Sequence, residues 1–135
     1  MSFHTNVLQA LERHTEFRRV LHTGPESQLV IMTIPPGGEV GEEVHAHTEQ
    51  TLYIERGSGE GLLDRETFSL VEGDVMVVTP GTRHNIQNTG DVPLRILTVY
   101  APPHHIDGRV HATKADADKD RGDEAFGEQA EEANA

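Results

Sequence analysis

The chain has 135 residues, 23 of them Asp or Glu against 11 Lys or Arg, for a formal charge of -12, and it has no cysteine. One domain of this size can bury about two-thirds of its unfolded surface and fold without staples. The missing thiols exclude disulfides, iron–sulfur clusters, thiolate zinc sites and cysteine nucleophiles, and the negative balance argues against nucleic acid or an anionic membrane as a partner.

In chain order, Met1-Ser2-Phe3-His4-Thr5-Asn6 lacks the basic-then-apolar pattern of a secretory signal. The longest apolar run, Leu29-Val30-Ile31-Met32-Thr33-Ile34, is far below the roughly 20 residues that cross a bilayer. With the absence of cysteine, these features set the expectation of a cytoplasmic protein. Asn6 is a candidate N-cap for a short helix with Val7, Leu8 and Leu11 on one face, so residues 1–15 read as an N-terminal helical segment. From 16 to 111 the pattern is many short extended segments, at 17–22, 28–34, 43–47, 50–55, 59–63, 67–71, 75–79, 84–88 and 93–100. Turn signals separate them about every ten residues, which predicts an all-β sandwich or barrel. Leu29, Ile31, Phe68, Leu70, Val75, Val77, Leu94 and Ile96 alternate as its expected core. Residues 112–135 hold eight acidic side chains against three basic ones, with Phe126 the sole large apolar residue. They read as an acidic, flexible tail with fraying helical turns, because so little apolar surface cannot offset the entropy of ordering.

The histidines carry the chemistry. In an extended segment Glu43, His45 and His47 project to one face. On an outer face they are a wet strand edge; on an inner face they are buried polar groups that need a partner, and a metal ion would serve. His84 follows the turn Pro80-Gly81-Thr82-Arg83, where antiparallel pairing would set it opposite His45. Two imidazoles and a carboxylate suit iron, manganese, nickel or zinc. Tyr53 and Arg83 are candidates for acid/base work or anion binding, against the plainer readings of a packed strand residue and a solvated turn residue. His4, His14 and His22 read as surface residues. His104, His105 and His111 read as loop residues beyond the last strand, unless the segment from Pro102 to His111 folds back over the barrel.

Two motifs between Gly37 and Asn88 resemble those of the cupins. In the first, five residues separate Gly37 from Glu43, Glu43-Val44-His45 fills the His-X-His slot, four residues lead to Gln50 and six more to Gly57. The intervals fit, although a carboxylate replaces the first histidine and an amide replaces the glutamate. A rival register takes His45-Ala46-His47 as the pair. The second motif runs from Gly73 through Thr79-Pro80-Gly81 and His84 to Asn88, with Thr79 in a proline slot. The ending, Tyr100-Ala101-Pro102-Pro103 and then Asp107-Gly108, is similar to that of small single-domain cupins, which often carry sugar-phosphate isomerase labels. The resemblance implies a cupin double-stranded β-helix, a jelly-roll barrel spanning 16–111, with one divalent transition metal (Fe, Mn, Ni or Zn) held by Glu43, His45, Gln50 and His84. It also implies a homodimer, with the stretch from Phe17 to Ile34 as a candidate interface. The function expected is a metal-dependent isomerase, lyase or dioxygenase acting on a small polar, carbonyl or sugar-like substrate. The alternative is a barrel that binds a sugar or small acid without catalysis.

Overall fold

The computed structural model describes residues 1–133. One helix, α1 (Val7–Arg13), precedes the sheets; the Asn6 side chain accepts a hydrogen bond from Gln9 N at 3.0 Å and so caps it. Ten strands follow: β1 (Arg18–Thr23), β2 (Gln28–Ile34), β3 (Glu43–Val44), β4 (Glu49–Arg56), β5 (Gly59–Leu63), β6 (Glu66–Leu70), β7 (Val75–Val78), β8 (Arg83–Gln87), β9 (Leu94–Ala101) and β10 (Val110–His111). Two helices, α2 (Lys114–Lys119) and α3 (Arg121–Ala133), complete the described chain.

The strands form an antiparallel six-stranded sheet in the order β10-β1-β2-β9-β4-β7 and a four-stranded sheet in the order β3-β8-β5-β6. The two sheets sandwich one core and do not close into a continuous barrel. Val20, Val30, Met32, Ile34, Leu52, Ile54, Leu94 and Ile96 face inward from the larger sheet and meet Leu70 and Ile86 of the smaller one. Gly57 makes one of the connecting turns possible: its φ is +96°, and a Cβ there would stand 2.9 Å from Pro93 O.

The alternation holds, but its phase differs from expectation on two strands. On β7, Met76 and Val78 are buried while Val75 and Val77 are 56% and 50% exposed. On β2 both faces are apolar: Val30, Met32 and Ile34 enter the core, while Ile31 is buried on the face where α1 lies against β2 and β9. Apolar residues on both faces give no sequence signal of phase. The stretch from Phe17 to Ile34 contributes mainly to the core, its strands lying inside the larger sheet.

Residues 114–119 and 121–133 are helical, with Asp120 between them, where the composition suggested a solvated tail with fraying helical turns. Their anchors are polar. Thr113 Oγ1 caps α2 by accepting from Asp116 N at 3.1 Å. Asp120 Oδ1 accepts from Asp123 N at 3.1 Å, while its other oxygen accepts from His111 Nε2 at 2.9 Å and lies 2.8 Å from Arg109 Nε in an ion pair. Among the described residues no helix is long and apolar enough to cross a membrane.

Candidate metal centre

β3 and β8 pair with Glu43 opposite His84 and Val44 opposite Arg83. The sequence expectation placed His45 in that position. β3 ends after two residues, and the chain bends at Ala46 and His47 instead of continuing the two-residue alternation. The His45 ring lies 5.1 Å from that of His84, and His47 is exposed. The ligating atoms of Glu43, His45 and His84 all lie within 4.8 Å of one another. Gln50 belongs to the other sheet, on β4, in register with Val78 and Tyr100. It is 1% exposed; Nε2 donates to Thr98 Oγ1 at 3.1 Å, and Oε1 is buried without a partner.

A hydrogen bond prepares one of the two imidazoles. His84 Nδ1 donates to the Thr82 carbonyl at 2.9 Å, which fixes the tautomer and leaves the Nε2 lone pair free. His45 Nε2 lies 3.1 Å from a Glu43 oxygen, but the angle is too poor for a hydrogen bond and the nitrogen has no other partner. Burial works to raise the pKa of Glu43, but His45, Arg18 and His84 outweigh it and hold the carboxyl down at about 2. Burial lowers the pKa of His84, reinforced by His45 and opposed by the Thr82 carbonyl and Glu43. A neutral His84 imidazole beside an ionised Glu43 carboxylate matches the protonation states that metal binding requires.

Glu43 and His45 line a cavity of about 430 Å³, while His84 and Gln50 lie outside its lining. Arg18 of β1 lines it, 7% exposed, with its guanidinium 5.2 Å from the Phe17 ring centre and its Nε without a partner. Tyr100 stands behind, its ring 6.2 Å from His45, and burial pushes its hydroxyl pKa up to about 12. Arg83 is elsewhere: it meets Glu42 at 2.9 Å and the Asp64 carbonyl at 3.0 Å on the surface. Tyr53 is half-buried and does not line the cavity.

The opposite wall is one that the sequence reading did not assign to the site. It comes from the loop after β9 and from α3. Gln28, 1% exposed, grips that loop: its Oε1 accepts from His104 N and His105 N at 3.1 and 3.0 Å, and its Nε2 donates to His105 O at 2.7 Å. His104 is thereby set with its ring 4.3 Å from that of His45. Asp123 of α3 accepts from His105 Nδ1 at 2.7 Å and from Ile106 N at 2.8 Å. Glu131, two turns further, accepts from His47 N and places its other oxygen 3.4 Å from His104 Nδ1. Asp120, Asp123, Gly127 and Glu131 recur every three or four residues and so share one helix face. That spacing, read beside His104, His105 and His111, was the available signal. Asp120 already neutralises Arg109 beside His111, so the third cluster of titratable groups, His111, Asp120 and Asp123, has a structural role that requires no ion.

Residues 30–100 match the cupin domain model. YrkC of Bacillus subtilis, an uncharacterised protein, is 39% identical over 121 residues, covering 85% of this chain and 65% of its own length. The crystal structure of BH2720 from Bacillus halodurans superposes with a TM-score of 0.84 at 35% identity, covering 87% of this chain and 93% of that one. A predicted oxalate decarboxylase from Thermotoga maritima superposes with a TM-score of 0.54 at 30% identity, over 56% of this chain and 66% of that one. The chain belongs to the cupin family, whose members commonly bind a metal.

Proposed function

We propose that this cupin binds one divalent transition metal (Fe, Mn, Ni or Zn) through Glu43, His45, Gln50 and His84 and acts as an enzyme on a small polar or carbonyl-bearing substrate. The observation that carries the reading is the convergence of Glu43, His45 and His84 ligand atoms within 4.8 Å. The orphaned Gln50 Oε1 and His45 Nε2 support it, since buried polar atoms without partners are costly and an ion would satisfy them. An ion held there would polarise a substrate carbonyl or enediol for isomerase or lyase chemistry, or activate dioxygen if it were iron. The chain's own groups supply the rest. Arg18 offers an unpaired N–H to a carbonyl or carboxylate oxygen, and the cavity's size limits the ligand to a small molecule. Tyr100, its hydroxyl held protonated by burial, packs behind the His45 ring and does not line the cavity. As the assembly we propose a homodimer, for which the exposed Val75 and Val77 offer apolar surface.

The test is metal content by mass spectrometry on tag-free full-length protein, reconstituted anaerobically with each of the four metals. About one equivalent in the wild type, lost in His84→Ala and reduced in Glu43→Ala, is the expected result. No retained metal in the wild type overturns the metalloenzyme reading and leaves a barrel that only binds its ligand.

A further inference from the structure

We infer that the C-terminal segment completes the metal centre, with His104 and Glu131 as ligands to the same ion that the strands hold. This rests on the metal reading above and extends it to residues outside both motifs. Ligating atoms of His45, His104 and Glu131 lie within 4.8 Å of one another, and His45 also belongs to the group with Glu43 and His84. One imidazole therefore links two half-sites, one on the sandwich and one on the C-terminal segment.

Three observations set this second group apart from ordinary packing. First, His45 Nε2, His104 Nδ1 and Glu131 Oε1 are all buried and none has a hydrogen-bond partner. The His104 and Glu131 atoms are 3.4 Å apart without hydrogen-bond geometry, and their side chains are only 13% and 17% exposed. Three orphaned atoms grouped within 4.8 Å satisfy a cation better than they satisfy one another. Second, the position of His104 is enforced. Gln28 holds its backbone, and Gly127 lets α3 approach so closely that a Cβ there would stand 2.9 Å from His104 Nε2. Third, the charges balance, because the carboxylates of Glu43 and Glu131 together neutralise a dication. Glu131 is more than a staple for the helix: one oxygen takes His47 N, and the other remains for the centre.

The consequence is linkage. An ion that contacts both half-sites stabilises the docked α3, and loss of the docked helix weakens the ion by the same factor. The cavity then has a fixed wall and a wall that can part from it.

The experiment measures Co2+ and Zn2+ affinity by competition with a chromophoric chelator, together with the Co2+ absorption spectrum. It uses full-length wild type, His84→Ala, His104→Ala and the isosteric Glu131→Gln. Hydrogen exchange across 121–133 is followed with and without Zn2+, and circular dichroism of each apo variant checks folding. Expected are a loss of affinity of about tenfold or more in both His104→Ala and Glu131→Gln, an altered Co2+ spectrum, and slower exchange in α3 on Zn2+ addition. Affinities within twofold of wild type and an unchanged spectrum in Glu131→Gln, with binding abolished by His84→Ala, overturn the inference and leave the strand-held centre standing. Absence of Co2+ and Zn2+ binding in the wild type overturns both.

Discussion

The two walls of the cavity reach similar chemistry by different means. Glu43 and His84 face each other because backbone ladders set the register of β3 on β8 and of β8 on β5. His104 and Glu131 meet because side chains hold them, through Gln28 on the loop, Asp120 and Asp123 at the start of α3, and a glycine beneath the helix. A wall built on ladders shares the stability of the whole sandwich. A wall built on a few buried polar bonds opens at lower free energy, as separate cooperative units do. The same cavity thus has one wall held by strand ladders and one held by side-chain contacts.

Asp123→Ala is the severest test of that contrast. It leaves His105 Nδ1 and Ile106 N without their acceptor, an expected loss of about 3 kcal/mol or more. Hydrogen exchange should show 104–106 and 121–133 losing protection while β4 and β9 keep theirs; equal loss in the strands breaks the comparison. Acidification comes next. Burial, with His45 and His105 alongside, depresses the pKa of His104 from 6.5 to about 4. Burial raises that of Asp123, but the bond and charge of His105 and the Ile106 N–H override it and bring the pKa from 3.8 to about 2. Both groups bind fewer protons folded than unfolded, so stability is lost as pH falls, from about 6.5 to 4 for His104 and from 3.8 to about 2 for Asp123. At about 1.4 kcal/mol per pKa unit, His104 accounts for ~3 kcal/mol at most, and limited proteolysis against pH should release α3 before the strands.

Gly127→Ala is expected to be milder. The added Cβ meets the His104 ring and its carbonyl, at 3.2 Å, and overpacking outweighs the better helix propensity of alanine for a net loss of about 1–2 kcal/mol. A urea melt of the full chain checks it; a gain in stability shows that α3 does not need this close approach. The smallest effect belongs to Arg83→Ala. Its ion pair with Glu42 is about half exposed on both sides, so calorimetry should show less than about 1 kcal/mol, with metal retention unchanged.

Much of the fold was legible because strand spacing and turn residues are local properties. The two motifs gave the intervals that bring Glu43 and His45 toward His84, and Asn6 capped its helix as read. Other features depended on distant partners. His47 follows the alternation in sequence, but β3 stops before reaching it. Val75 and Val77 took the outward phase because a period-two pattern does not say which face is inside. The acidic C-terminal run was weighed by its lack of apolar residues, whereas its order comes from carboxylates spaced along one helix face opposite histidines some twenty residues earlier.

The pairing of Arg18 with His111 also bears on how the protein is made. On a ribosome adding roughly 5 to 20 residues each second, β1 waits for about 5 to 20 s before its outer neighbour exists. Throughout that interval the edge of β1 facing the future β10 is open, and it is the strand whose Arg18 lines the cavity. The cavity is therefore finished late in synthesis, and a nascent chain stalled before residue 110 presents a bare strand edge to its neighbours on the same message.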